Sequence, residues 1–305
     1  MDPVQSAPTA ALPLISVIVP TFSRPGRLAN CLAALVAQDY PAGRFEVVVV
    51  DDGSDAPLDE VVAACSGPVS LALLRQANAG PGAARNRGAT AARGALLAFT
   101  DDDCLPGPGW LGALARAHQA APQDLLGGRV VNHDARNPCA ETSQLILDGV
   151  YRYYARNPGP GQFFASNNMG VPAAGFCALG GFDADFRVAS EDRDLCDRWV
   201  AAGRNLRYAP DAVVRHAPLL DLGRFARQHY NYGRGAFHYH RARRRRGRAG
   251  SATALGQHAR FLVEVGRGLA QRRAAERLRI GALLLLWQGA NAAGYLAGAL
   301  SAKRL

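Results

Sequence analysis

The chain has 305 residues, is 49% hydrophobic and carries a formal net charge of +10. It is long enough to bury one large core or two smaller ones. Its six cysteines, Cys31, Cys65, Cys104, Cys139, Cys177 and Cys196, are too scattered for a zinc or thioredoxin-type motif, which points to a reduced, cytosolic chain without disulfides.

Residues 1–13 have an acidic second residue, three prolines and no basic stretch. They do not read as a signal peptide and are expected to form a flexible lead-in. Leu14–Val19 reads as a buried strand running into Pro20-Thr21-Phe22-Ser23-Arg24-Pro25, a segment that can hold a ligand at a strand tip and then start a helix near Pro25. The helix follows over Gly26–Gln38, with Leu28, Leu32, Leu35 and Val36 on one face. Phe45–Val50 is a second strand ending in Asp51-Asp52-Gly53-Ser54. An Asp-Gly turn explains that ending, and so does a carboxylate that accepts hydrogen bonds from a base or ribose. A helix–strand unit spans Leu58–Leu74. The glycine loop Asn78–Gly88 then opens another helix and carries Arg85, which either faces an anionic ligand or sits in a structural ion pair. It is not a dinucleotide fingerprint, because it follows the third strand and places Arg85 at the third glycine position.

The next apolar run, Ala95–Phe99, stops at three consecutive carboxylates, Asp101, Asp102 and Asp103. Such a run suits a strand buried on both faces. The clustered carboxylates repel one another, so they form either a solvated acidic turn or a site for a hard divalent cation such as Mg²⁺ or Mn²⁺. The alternation of strands and helices predicts an α/β fold, a mostly parallel central sheet with helices on both faces and ligands at the carboxyl ends of the strands. A helix over Trp110–Ala120, a strand over Leu125–Val131 and a helix near Thr142–Arg156 follow, before an Asn157-Pro-Gly-Pro-Gly turn. Glu191 and Asp192 open a helix with Leu195, Trp199 and Val200 at helical spacing. These acids complement the helix dipole, or Asp192 is a catalytic base above the cleft. Leu206–Tyr208 and Ala212–Arg215 read as short strands, and His216 after them is either structural or a further metal ligand.

The charge is unevenly placed: residues 1–223 hold 18 Arg against 23 acids, whereas residues 224–305 hold 17 Arg and Lys against Glu264 and Glu276. The C-terminal part is therefore expected to have its own partner. The run Arg241–Arg248 is a solvated linker or a contact for anionic lipid, and without aromatic interleaving or a folded motif it does not support nucleic-acid binding. An amphipathic, Arg-rich pattern over Leu255–Arg279 precedes 280–300, 21 residues without a charge. That segment is long enough to span or re-enter a membrane, or it packs as a soluble helix on the body or on a second copy in a homodimer. Its basic flanks (Arg277, Arg279, Lys303, Arg304) suit anionic lipid.

Six stretches, SVIVPTFSRP, VVVVDDGS, NAGPGAARNRG, FTDDDC, ALGGFDADF and SEDRDLCDRW, occur in the order found in family 2 glycosyltransferases, and over residues 14–235 the chain resembles that family. The resemblance implies a GT-A fold and hexosyl transfer with inversion from a UDP-, GDP- or dTDP-sugar to a glycan or lipid-linked acceptor, as in polysaccharide and cell-envelope synthesis. It implies a nucleotide-sugar site at Thr21, Arg24, Asp52, Arg85, Asp101 and Asp102. It also implies Mn²⁺ or Mg²⁺ on Asp103, with His216 as a further metal-site residue, and Asp192 as general base beside Glu191. Arg234, in Gln228–Ala236, is matched loosely to phosphate or acceptor contact. The expected division is a lead-in (1–13), a catalytic domain (14–222, its donor half 14–106 and its acceptor half 107–222) and a basic helical tail (223–305) on the cytoplasmic face of the cell membrane. A sugar-nucleotide pyrophosphorylase would carry its basic glycine loop after the first strand, where this chain has PTFSRP. A non-catalytic basic scaffold is the remaining alternative; the charge confined to the tail and the intact acids speak against it.

Overall fold

Valine and isoleucine crowd the first two strands, β1 (Ile15–Thr21) and β2 (Phe45–Asp51), and both are buried almost end to end in the computed structural model. The structure describes residues 11–65, 67–159, 161–248 and 254–302, so the lead-in lies outside the described residues up to residue 10. β1 pairs in parallel with β2 on one side and with β4 (Leu96–Thr100) on the other, and β3 (Ser70–Arg75) joins β2 in parallel. The helices between them are α1 (Pro25–Val36), α2 (Asp59–Ala64) and α3 (Pro81–Ala91). Pro25 sits in the first turn of α1, where its missing N–H costs nothing. Leu28, Leu32 and Leu35 of α1 are fully buried, each contributing roughly 1.5–3 kcal/mol of burial.

All four parallel strands end at the same edge of the sheet, which brings together the Thr21, Asp52 and Asp101 segments and the glycine loop before α3. The sheet continues beyond β4 in the order β3-β2-β1-β4-β7-β6-β8-β5. Here β5 is Cys104–Pro106, β6 Leu125–Asn132, β7 Asn168–Pro172 and β8 Leu206–His216. β7 runs antiparallel to both β4 and β6, and β5 antiparallel to β8, so the strictly parallel alternation ends at β4. The two short strands expected around 206 and 212 are one strand. Its pairing with β6 jumps from Gly128↔Ala209 to Arg129↔Val213, and Pro210 in the bulge lacks the N–H a ladder needs.

One core cluster holds α1, α4 (Trp110–Ala120) and one sheet face. The other packs α6 (Ala173–Ala178) and α7 (Glu191–Ala201) on the opposite face, around Phe99, Phe176, Phe182 and Trp199.

The C-terminal part is helical and packs on the body. α8 (Leu222–Arg245) runs back over the body, and its terminal arginines reach the acids of α7. Arg243 Nε lies 3.2 Å from Asp197 Oδ1, Arg248 Nη1 3.3 Å from Asp197 Oδ2, and Arg246 Nη1 2.5 Å from Asp194 Oδ1. Asp194 and Asp197 are buried, and a buried carboxylate needs a cation or hydrogen bonds. The run 241–248 is therefore neither a solvated linker nor wholly available to lipid: three of its arginines clamp α8 to α7. The amphipathic stretch 255–279 is broken between α9 (Ala254–Ala270) and α10 (Ala274–Ser301). The break lets α9 turn back on α5 (Pro138–Arg156), with Val265 against Leu145 and Arg156 paired to Glu264 at 2.8 Å.

The uncharged segment 280–300 lies within α10, which among the described residues is the one helix long and apolar enough to cross a membrane. It runs beside α8. A Cβ at Gly294 would sit 1.9 Å from the Tyr230 carbonyl oxygen and one at Gly233 2.0 Å from that of Asn291, so glycine is what allows the two backbones to approach this closely.

Candidate active site

The three consecutive aspartates avoid mutual repulsion by turning to three different sets of partners. Asp101 Oδ1 accepts a 2.6 Å hydrogen bond from Arg85 Nη2. Asp102, buried, accepts from the Thr21 hydroxyl at 2.8 Å and from Arg24 Nη1 at 3.1 Å. Asp103 accepts from Arg27 Nη1 at 2.9 Å, with Arg24 Nη1 at 3.7 Å, and its Oδ1 lies 3.4 Å from His216 Nε2. The last contact follows from the sheet: β5 pairs with β8 so that Cys104 faces His216, which lays the histidine over Asp103. Asp103, Cys104 and His216 each offer a ligand atom, all within 4.8 Å of one another.

The pKa values separate the neighbours. Burial would raise Asp103, but the His216 hydrogen bond and charge, with Arg24 and Arg27, hold it down to about 2. His216 is raised in turn by its hydrogen bond to Asp103, against burial. Burial pushes Asp102 up to about 6, with Arg24 opposing and Asp103 assisting. The ionised carboxylate is the kind of oxygen ligand that Mg²⁺ or Mn²⁺ takes, and the imidazole beside it offers one further ligand atom.

Arg85 is the tie across the cleft. Its guanidinium is buried, one nitrogen on Asp101 and the other 2.8 Å from Glu191 Oε1. Of its two sequence readings, the structure places Arg85 in the ion pair. Glu191 and Asp192 open α7 after Ser190, whose φ is +77°. The other non-glycine residue in that left-handed region among the described residues is Ser23, in the loop after β1, so both strained positions border the cleft. Asp192 accepts from the backbone N–H of Ser166 at 3.3 Å and of Arg193 at 2.7 Å. Burial first, and Glu191 second, raise its pKa to about 7, with Arg85 pulling the other way. A carboxylate titrating near neutrality fits a general base.

Asp52 is buried, and its carboxylate accepts from Gln76 Nε2 at 2.7 Å and from the N–H groups of Ala79 and Gly80, both at 2.9 Å. It thereby fixes the glycine loop that starts α3, while Asp51 caps the Asp-Gly turn by accepting from Ser54 N–H. Thr21 and Arg24 with Asp102 and Asp103 form one set of contacts and Arg85 with Asp101 and Glu191 a second, the two joined through the backbone of the three aspartates; Asp52 braces their side and Asp192 stands beside Glu191.

Two residues outside the expected donor, metal and base set also contribute. Arg27, in the first turn of α1, follows Arg24 at the helix N-cap by three residues, a spacing that brings the two close together and is the available signal. Tyr232, on α8, is half exposed at the cleft mouth. Desolvation of its hydroxyl and the charges of Asp192, Glu191, Asp101 and Asp103 hold its proton more tightly than usual. It lies within Gln228–Ala236, the segment the family resemblance singles out, and α8 brings it to the site through the tertiary fold. Arg234 is half-buried on α8, its backbone nitrogen facing Gly294 of α10.

Residues 16–185 match the family described as glycosyl transferase family 2. The validoxylamine A glucosyltransferase of Streptomyces hygroscopicus subsp. jinggangensis is 30% identical over 262 residues, covering 72% of this chain and 62% of that protein. The same enzyme of subsp. limoneus is matched over 58% of its length, so the chain spans about three fifths of these relatives. Glycosyltransferase AglE of Haloferax volcanii is 36% identical over 230 residues, covering 74% of each. Among solved structures, the mannosyltransferase PcManGT from Pyrobaculum calidifontis, in complex with GDP-Man and Mn²⁺, superposes with a TM-score of 0.65 at 20% identity over 98% of this chain and 90% of that one.

Proposed function

The chain belongs to glycosyl transferase family 2 and is a glycosyltransferase of GT-A-like fold, and from that premise we propose that it moves a sugar, with inversion and metal dependence, from a nucleotide-sugar donor to a glycan or lipid-linked acceptor. The carrying observation is the contrast between two carboxylates in one cleft: Asp103 held at about 2 beside His216, and Asp192 raised to about 7 beside Glu191. One stays ionised to hold a cation; the other is available to take a proton.

Asp103 and His216 are the residues that would hold Mn²⁺ or Mg²⁺. The Asp103 carboxylate suits either ion, and the Mn²⁺ in the PcManGT complex is in keeping with the first. When bound, the ion supplies Lewis-acid neutralisation of the leaving nucleoside diphosphate. Thr21, Arg24, Asp52, Arg85, Asp101 and Asp102 form the donor side. Arg24, half exposed, can turn from Asp102 to a diphosphate oxygen, while Asp101, paired with Arg85 and partly exposed, would lie toward the ribose or the metal's waters. Asp192 removes the proton of the acceptor hydroxyl as that oxygen bonds to the anomeric carbon. The bond from that carbon to the diphosphate breaks on the opposite face, and the electron pair leaves with the nucleotide. Residues 14–106 serve as the donor half of a catalytic domain ending at 222, residues 107–222 as its acceptor half, and 223–305 as a tail. The exposed apolar α10 supports a place for the enzyme on the cytoplasmic face of the cell membrane, acting in cell-envelope polysaccharide or glycolipid assembly.

The test is a panel of UDP-, GDP- and dTDP-sugars with Mn²⁺ or with chelator, read as thermal stabilisation and nucleotide release. One nucleotide class should stabilise the protein and be turned over with Mn²⁺ alone. Equal responses with chelator, or none to any donor, would contradict the proposal.

A further inference from the structure

α10 has two apolar faces, and only one is covered. Ile280, Leu283, Trp287, Gly294 and Gly298 are buried against the body. At 100° per residue they centre on one line of the helix. Leu278, Leu285, Leu296 and Leu300 lie on the opposite line and are 80%, 77%, 62% and 63% exposed. Only alanine and glycine intervene along that line. The uncovered stripe runs roughly 33 Å at 1.5 Å per residue. Arg277 and Arg279 flank it on either side, Arg273 precedes it, and Arg260 is exposed on neighbouring α9. None of these four has an acidic partner among the described residues, and Glu264, one of the two acids on α9 and α10, is buried against Arg156 and Arg267.

A stripe of this composition with arginines at its margins matches an anionic lipid surface. Spanning is opposed by the covered face. The second half of α10 is fixed along α8 through Gly233, Gly294 and Gly298, and α8 carries seven arginines between Arg224 and Arg245. Carrying α10 across a bilayer would draw α8 and its charges into hydrocarbon. We propose that α9 and α10 seat the protein flat on an anionic lipid surface, with α10 in the plane of the interface rather than across it. α8 then lies between lipid and site. Its Gly235 packs against the Ala189 carbonyl and the Ser190 hydroxyl, immediately before Glu191, while Gly233 meets α10. At roughly 8–10 Å per helix layer, the cleft mouth stands about 20 Å from the lipid stripe.

The proposal rests on the membrane association proposed above and not on the donor chemistry. The full chain should float with phosphatidylcholine vesicles containing phosphatidylglycerol and not with phosphatidylcholine alone. The double variant Leu285→Glu, Leu296→Glu should lose flotation by about tenfold or more while keeping its unfolding midpoint and its nucleotide release in solution. Ala282→Cys, Gly289→Cys and Leu296→Cys, each labelled with an environment-sensitive dye in a Cys177→Ser background, should all be quenched by headgroup-proximal spin-labelled lipids. No flotation would overturn both membrane association and placement. Deepest quenching at residue 289, with 282 and 296 shallower, would indicate a spanning helix and overturn the placement alone. Concentration-dependent dimerisation abolished by the double variant, without vesicle binding, would assign the stripe to a second copy and overturn the proposal.

Discussion

Asp192→Asn is expected to lower turnover by about 10²–10⁴-fold, the range typical of losing a general base, while nucleoside diphosphate affinity stays within about twofold. The amide keeps the shape, and its single oxygen can still accept from one of the Ser166 and Arg193 N–H groups, which use separate oxygens of the carboxylate; neither contact belongs to the donor side, so donor-site geometry is retained. What disappears is the capacity to take a proton. The same reasoning fixes the pH profile of the wild type. Burial and Glu191 raise Asp192 to about 7, and only its ionised form accepts a proton, so kcat/KM should rise with pH up to about 7 and level off above it. Nucleotide release across pH 5–9, with the donor that the panel identifies, measures both effects. A variant that retains turnover but loses the nucleotide would make Asp192 a binding residue instead.

Arg85→Met should have the second large effect, and on stability first. Arg85 is buried between Asp101 and Glu191, and removing one partner of a buried ion pair costs about 3–5 kcal/mol because the remaining charge is left uncompensated. Asp192 feels the same change. The Arg85 cation lowers its pKa, so without it the limb of the pH profile should move to higher pH. Urea denaturation together with the pH profile separates this from simple unfolding. Arg85→Lys keeps a cation without the two-pronged geometry, and should recover part of the pH shift but less of the stability. Unchanged stability and an unmoved profile in Arg85→Met would mean that the acids need no such tie.

Much of the donor half is legible because its physics is local. Buried strands rich in valine and isoleucine announce themselves as apolar runs, and each stops at polar residues that reach the same sheet edge. Arg85 was open between two readings because an arginine after a glycine loop looks the same from either side; only the return of Glu191, 106 residues later, decides it. β5 and β7 escaped because one is three residues long and the other, Asn-Met-Gly-Val-Pro, has no alternating pattern. The antiparallel pairing of β5 with β8 is nonetheless what sets His216 over Asp103. The charge count by segment hides a contact for a related reason. It compares segments of the chain, whereas Asp194 and Asp197 meet Arg246, Arg243 and Arg248 only after α8 folds back across α7.

The central claim is most directly tested by calorimetric titration of the nucleoside diphosphate of the preferred donor into wild type with Mn²⁺, wild type with chelator, and Asp103→Asn with Mn²⁺. Binding is expected in the first case and at least about tenfold weaker binding in the other two, the loss expected when a metal site is broken. Equal affinity in all three would show that Asp103 and His216 hold no cation for the donor and would contradict the account.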